Sequence, residues 1–403
     1  MGTSQSHPTY QGQVMSTKEP EPGPPYPGPP AQYQFVNTQV TIGTQISFSF
    51  TQTHMVTSDI NTYYPFLGAQ YAQGYRLLSF YRIPGQTRVT GFMNATVAVP
   101  FQGIFCRYPN VPTHEKWHLH IEKSVIQTQR MVSGIITFNT QRGVVSDTSH
   151  IMESIARNTQ GGGRLICIEM TGQQQSQSTR LAYSGLSPVM GVDLFFEKPE
   201  HPMPEQFVYN CVCVPINVTY QGGFRPVPVV QCDWLGVLAQ NLSQGWRLIE
   251  IFMDMTCSTQ AHGFSATQTL NSMWFFEKAA SRMNDSTPVY QGTVVPHEII
   301  INAGFGGTTT SAHWEPVIEK MGSRGWELAC ILETPESHIS GMASIARKCL
   351  LFFQRRILPP VGVAPGAIGF NLPPPPPYDS MPAGYGQVQP GLYQPPPPPP
   401  EYK

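Results

Sequence analysis

The chain has 403 residues, with 24 Lys and Arg against 25 Asp and Glu and a net charge of −1. Charged residues make up only 12%, about half the usual share, so no bulk field draws the protein to nucleic acid. No run approaches the ~18 consecutive apolar residues of a membrane-spanning helix, and the length allows about two to four compact domains.

Residues 1–32 are rich in Pro, Gly and Gln with few apolar anchors. Such a segment cannot offset its own ordering entropy and is expected to be disordered. Its start, MGTSQSHPTYQGQ, has neither the charged flank nor the apolar core of a signal peptide. MGTSQS does fit the N-myristoylation pattern: Gly2 is exposed once Met1 is removed, and Ser6 stands at the required place. One such chain gives marginal, reversible binding, on the order of 10⁴ M⁻¹. Lys18 is the lone basic residue of this segment, so a second membrane signal would come from the folded part or a partner.

Residues 33–358 carry one phrase four times: GYRLLSFYRI from Gly74, GGRLICIEM from Gly162, GWRLIEIFMDM from Gly245 and GWELACILETP from Gly325. About thirty residues later each has a companion, GIFCRYP, DLFFEKPE, MWFFEKAA and LLFFQRRI in turn. A helical pattern precedes each phrase. Trp314, Val317, Ile318 and Met321 fall on one face, as do Leu235, Leu238 and Leu242 behind a candidate N-cap at Asp233. Strand candidates come earlier still: QISFSF, WHLHIEK, FVYNCVCV and HEIII.

Each unit therefore reads strand–helix–strand–strand, with boundaries at 33–110, 111–200, 201–283 and 284–358. Gly74, Gly245 and Gly325 stand where a helix needs a left-handed residue to stop. The aromatic that follows (Tyr75, Trp246 or Trp326) packs back on the helix end, with Trp246 and Trp326 expected to be largely buried. The linker between the last two strands is rich in Gln, Ser, Thr and Gly, as a surface loop is. The predicted fold class is α+β: four units, each a short antiparallel sheet covered by one helix, between disordered Pro-rich termini.

The units resemble small bacterial domains of unknown function built on GWEL…FFKR. The fourfold arrangement, and above all RGWELACILETP followed by CLLFFQRRI, resembles the raftlin family. That resemblance implies a lipid-anchored protein of the inner plasma-membrane leaflet, associated with raft organisation, receptor signalling and endocytic uptake. In that family a cysteine adjoins the N-terminal glycine; here Thr3 and Ser4 follow Gly2.

Chemistry inside the repeats is sparse. His118, His120 and Glu122 share a strand face and could hold a metal, but the solvent side of an amphipathic strand explains them better. Cys211 and Cys213 also share a face and are expected as buried thiols. The eight scattered cysteines suit reduced cytosolic thiols, and the sequons at Asn94, Asn217, Asn241 and Asn284 are then not used. AGFGGTTTSAHW lacks the Gly-Lys-Ser/Thr of a phosphate loop and is expected as a flexible strand-to-helix connection. No catalytic residue, metal site or cofactor is predicted.

Residues 359–403 are proline-rich and expected to be disordered. They hold Pro-Pro-x-Tyr twice, as Pro375, Pro376 and Tyr378 and as Pro399, Pro400 and Tyr402. A preformed polyproline helix docks on an aromatic groove at little entropic cost, and this motif resembles the ligand of WW domains in HECT-type ubiquitin ligases. The expectation is a non-enzymatic adaptor at the cytoplasmic face of the plasma membrane, with inner-leaflet lipids and WW proteins as partners. The alternatives are a soluble WW-binding ubiquitin-ligase adaptor, or an enzyme whose site is assembled between repeats.

Overall fold

The computed structural model describes residues 28–43, 58–84, 88–90, 96–109, 116–133, 141–171, 189–220, 228–262, 265–304, 307–341 and 344–358. The first repeat contributes β1 (Gln32–Gly43), α1 (Tyr64–Tyr71), β2 (Arg76–Arg82), β3 (Arg88–Thr90) and β4 (Thr96–Arg107). The second contributes β5 (Trp117–Ser133), β6 (Gln141–Asp147), α2 (Ser149–Asn158), β7 (Arg164–Glu169) and β8 (Val189–Pro199). The third has β9 (Phe207–Tyr220), β10 (Pro228–Gln231), α3 (Trp234–Leu242), β11 (Arg247–His262) and β12 (Ser265–Ala279). The fourth has β13 (Tyr290–Gly304), β14 (Gly307–Ser311), α4 (Glu315–Gly322), β15 (Glu327–Gly341) and β16 (Ser344–Arg356).

This corrects the predicted fold class. The protein is mostly β: its strands run to 17 residues, while the four α-helices have 8 to 10. Nor does each repeat keep its own short sheet. β6 pairs with β11, fusing the second and third repeats into an eight-stranded sheet in the order β10-β9-β12-β11-β6-β5-β8-β7. Two four-stranded sheets flank the chain ends, β1-β4-β2 with β3 on β4, and β14-β13-β16-β15; every pairing is antiparallel.

Two physical causes lie behind the difference. In the third repeat the polar linker read as a loop is ladder: Ser258, Thr259 and Gln260 pair with Thr269, Gln268 and Thr267, and β-branched threonine favours the extended backbone. Likewise Gly307–Ser311 is not a flexible connection but a strand folded back on β13. The second cause is the Phe-Phe pair. Neighbouring residues on a strand point to opposite faces, so two adjacent phenylalanines require a core on each side.

Both cores exist, and each is shared by two repeats. Phe195 packs with Tyr63, Leu67 and Phe80 between repeats one and two, while Phe196 packs with Ile151, Ile155 and Phe252 between two and three. Phe275 joins that second core, and Phe276 meets Leu238, Trp274 and Phe352 between three and four. Phe353 then joins Trp314, Ile318, Met321 and Ile104, closing the circuit between four and one. Each helix sits over one shared core, with no core private to a repeat among these clusters.

The glycine stops are as the sequence implies. Gly74, Gly245 and Gly325 have φ of 76°, 81° and 75°, and the following residues Tyr75, Trp246 and Trp326 donate their N–H to Gln70, Asn241 and Met321 carbonyls, a C-cap of the left-handed kind. Trp246 and Trp326 are only half-buried, against expectation. Their outer faces lie beneath Lys278 at 5.5 Å and the Arg355 guanidinium at 4.3 Å. The tryptophans that are fully buried are Trp274 and Trp314.

Trp274 stacks near Trp234, meets Phe352 edge-on at 5.4 Å and donates Nε1–H to Ser272. Trp274→Ala is therefore expected to cost about 3–5 kcal/mol in urea unfolding. Trp326→Ala should cost about 1–2 kcal/mol, because partial exposure removes much of the transfer term. Equal losses would place the cooperative core at the helix stops instead of between repeats.

Candidate functional site

The four phrases become β2, β7, β11 and β15, and these strands pack in a ring: β2 on β7, β7 on β11, β11 on β15, and β15 back on β2. Each carries a bulge at one equivalent place, between Leu77 and Ser79, Leu165 and Cys167, Leu248 and Glu250, and Leu328 and Cys330. The inserted Leu78, Ile166, Ile249 and Ala329 line a single cavity of about 220 Å³ on the axis of the ring. A bulge interrupts ladder pairing, and a buried N–H needs an acceptor. Side chains supply it in all four copies. Leu77 N–H donates to Tyr71 Oη at 3.3 Å, Leu165 to Tyr209 Oη at 2.9 Å, Leu248 to Gln354 Oε1 at 3.1 Å and Leu328 to Tyr33 Oη at 2.8 Å. The last three acceptors come from a neighbouring repeat.

Charges close the same ring. Arg76 donates through Nε to Glu197 of the second repeat at 2.7 Å. Arg164 donates through Nε to Glu277 of the third at 3.1 Å, and lies 3.8 Å from Glu197. Arg247 bridges Glu277 at 3.5 Å and Glu327 of the fourth. Glu327 accepts from Tyr108 Oη of the first repeat at 2.9 Å. Arg76 and Arg164 also lie over the first aromatic of the next repeat, Trp117 at 4.2 Å and Phe207 at 4.5 Å. Burial would raise the Glu277 and Glu327 carboxyls, but the Arg164 and Arg247 guanidiniums beside them hold both below the usual range.

The other end of the axis differs. A cavity of about 470 Å³ is lined by Tyr81, Arg82, Glu169, Glu250, Glu333 and Arg347 among others. Glu333 is paired with Arg347. Glu250, only 7% exposed, accepts from Ile251 N–H at 2.8 Å and Ile168 N–H at 3.4 Å. Burial pushes its carboxyl up to about 8, so it is protonated at neutral pH. Burial and the neighbouring Glu250 also push Glu169 well above the carboxylate range, with Arg82 opposing.

These groups make an electrostatic clasp, in which guanidiniums are engaged by carboxylates of the next repeat. Among the described residues no cluster of three or more His, Cys, Asp or Glu is arranged for a metal. His118 is exposed, and Glu122 is engaged by Arg157 and Asn158 of α2. Contrary to the buried thiols expected, Cys213 is exposed and Cys211 half-buried. The sequence-predicted site residues Gly2, Pro375, Pro376, Tyr378, Pro399, Pro400 and Tyr402 lie outside the described residues. What sequence reading missed is the ring, although it left a signal: an ionisable residue stands directly after each Gly-aromatic or Gly-Gly, at the head of an otherwise apolar run.

The two ends should respond to pH with opposite sign. Glu277→Gln deprives Arg164 and Arg247 of a shared anion, a loss of about 3–5 kcal/mol near neutral pH. Glu277 is held below its ordinary 4.5 in the folded chain, so its contribution is full above that value and is lost as pH falls through the depressed pKa. Glu250 titrates at about 8 when folded; its contribution is full below 4.5 and is lost as pH rises toward 8. Glu250→Gln should therefore flatten the alkaline side of the stability profile while Glu277→Gln removes the acid-side slope. Urea unfolding at about pH 4, 6 and 8 separates the two; a pH-independent offset in either variant would contradict the assignment.

A family model for Raftlin matches residues 119–362. Raftlin of Gallus gallus is 23% identical over 199 residues, 49% of this chain and 31% of that protein. Raftlin of Homo sapiens is 24% identical over 176 residues, 43% of this chain and 28% of its own length. Raftlin of Mus musculus is 22% identical over 171 residues, 42% and 29% respectively. The matched region thus spans under a third of each of these relatives. No solved structure matches the chain. The family model covers the second, third and fourth members of the ring, including the strands that bear Glu197, Arg164, Glu277, Arg247 and Glu327, and the chain belongs to the raftlin family.

Proposed function

We propose that this chain is a non-enzymatic adaptor at the cytoplasmic face of the plasma membrane, in raft organisation, receptor signalling or endocytic trafficking. Membership of the raftlin family across 119–362 carries the proposal, with the lipid-anchored character which that family implies. The ring supports it from another side. Guanidiniums and carboxylates that would otherwise be candidates for catalysis are engaged with one another within and between repeats. Among the described residues no helix is long and apolar enough to cross a membrane. Attachment in the proposal is peripheral, through an acyl group on Gly2 and a second contact made by the folded repeats or a partner. Recruitment falls to Pro375, Pro376 and Tyr378 and to Pro399, Pro400 and Tyr402, offered to WW-domain proteins such as HECT-type ubiquitin ligases.

The two halves of the proposal are tested separately. Gly2→Ala should move the protein from membrane to soluble fractions, while the wild type, held by one weakly binding chain, partitions between them. Tyr378→Ala or Tyr402→Ala alone should weaken capture by a tandem WW protein, because the second contact is then no longer intramolecular; the double substitution should abolish capture. Identical fractionation of wild type and Gly2→Ala, with WW capture intact, would instead favour the soluble ubiquitin-ligase adaptor. Retention of WW partners by the double variant would leave the tail as a solubilising extension.

A further inference from the structure

Cys211 and Cys213 are two residues apart on β9, so both side chains leave one face of the strand. They align with Phe275 and Met273 of β12. Both are free thiols, Cys213 exposed and Cys211 half-buried, whereas Cys106, Cys167, Cys330 and Cys349 are buried. Two residues of extended chain set Cα atoms about 6.6 Å apart. That lies at the outer end of the roughly 4.4–6.8 Å window a disulfide can bridge.

β9 is placed to yield by the small remainder. β10 pairs only with its Asn217–Tyr220 end, so residues 207–216 have β12 on one side and, among the described residues, no strand on the other. A bend there disturbs one ladder instead of two. Pro215, in the same stretch, is a residue that edges tolerate.

We propose that Cys211 and Cys213 form an oxidant-sensitive dithiol, a modification site at which hydrogen peroxide closes a reversible intrastrand disulfide. The Cys213 thiolate attacks a peroxide oxygen; the O–O bond breaks, leaving a sulfenic acid on Cys213 and releasing hydroxide. The Cys211 sulfur then attacks the Cys213 sulfur and expels the second hydroxide as the S–S bond forms. The two thiol protons convert both hydroxides to water, and the two electrons lost by sulfur are those gained by the peroxide oxygens. A dithiol reductant reverses the step by exchange.

The surroundings suit these roles. The neighbouring Cys211 draws the Cys213 thiol down, with Asn271 adding to this while burial and the Asp254 charge oppose it. The same interaction and burial push Cys211 up, so Cys213 is the thiol that ionises first. Asn271 is itself fixed by donating Nδ2–H to Asp254 at 2.9 Å. An exposed, acidified thiol beside a resolving one is the setting in which sulfenic acid forms and condenses. Strain at the limit of the bridging distance makes the bond easily reduced, hence regulatory in character.

The purified full chain, treated with stoichiometric hydrogen peroxide, alkylated and mapped by mass spectrometry, tests this directly. The peptide containing residues 207–220 should lose two hydrogens and resist alkylation until dithiothreitol is added, while Cys232 and Cys257 alkylate as before. In Cys211→Ser the sulfenic acid should persist on Cys213 and be trapped by dimedone; in Cys213→Ser neither product should form. Unchanged melting of both variants confirms that the strand is intact. A wild-type pair that stays open to alkylation, oxidation spread equally over Cys232 and Cys257, or dimedone trapping that does not depend on Cys211 would each overturn the proposal.

Discussion

Two adjacent phenylalanines on a β-strand cannot both be buried by a one-sided sheet, and the architecture follows from that constraint. Phe195 and Phe196, Phe275 and Phe276, and Phe352 and Phe353 each send one ring into one core and the other ring into the next. Ile104 and Phe105 do the same in the first repeat. A strand buried on both faces needs a neighbour on each side. Four such strands in sequence have unburied outer faces at both ends of the series unless the last meets the first. The core that joins Ile104 to Phe353 and Trp314 is that meeting. The repeats are therefore parts of one closed body, and disruption in a shared core is felt by two of them.

Closing the ring brings four strand heads to one axis, and there polar bonding decides the order of assembly. Desolvating ions is costly enough that a buried pair contributes little net stability, whereas an orphaned member is heavily penalised. A repeat taken alone would lose its main ion pair: Arg76 with Glu197, Arg164 with Glu277 and Arg247 with Glu327, each carboxylate coming from the following repeat. Within their own repeats Arg164 and Arg247 keep only the longer contacts to Glu197 at 3.8 Å and Glu277 at 3.5 Å. The N–H groups freed at the bulges of Leu165, Leu248 and Leu328 likewise need Tyr209, Gln354 and Tyr33. The apolar cores would tolerate several pairings of similar units. The ring favours one cyclic order, because each arginine takes its shortest carboxylate contact from the repeat that comes next.

Much of this was legible as local pattern and little of it as topology. The helix stops at Gly74, Gly245 and Gly325, the N-cap at Asp233, which accepts from Gly236 N–H at 2.9 Å, and the apolar face of Ile318 and Met321 depend on residues within one or two turns. Sequence spacing encodes such relations directly. The class of fold does not work that way. Whether Ser258–Gln260 is loop or ladder depends on a partner strand and on β6 of another repeat, and the pairing of Arg247 with Glu327 spans 80 residues. Trp326 shows how a correct local placement can mislead on energetics. It does sit against the helix end, yet Arg355 from β16 covers it, so the burial expected of a core tryptophan passes to Trp274 and Trp314.

The repeats are least alike where the circuit closes. In the second and third, the residue aligned with the strand-head arginine is a glutamate, Glu197 opposite Arg164 and Glu277 opposite Arg247. In the first it is Cys106 opposite Arg76, and in the fourth Gln354 opposite Glu327. With no carboxylate at Cys106 to receive a fourth guanidinium, an arginine at the head of β15 would be buried without an anion. The fourth repeat has a glutamate there instead, which accepts from Arg247 on one side and from the Tyr108 hydroxyl on the other. A hydroxyl can end a chain of ion pairs without adding charge, so three arginines and three glutamates balance. The departure of GWEL from the GWRL and GGRL of its predecessors has an electrostatic reason in this light: Glu327 supplies the anion that Arg247 takes from the fourth repeat, and the first repeat offers Glu327 a neutral hydroxyl in place of a further charge.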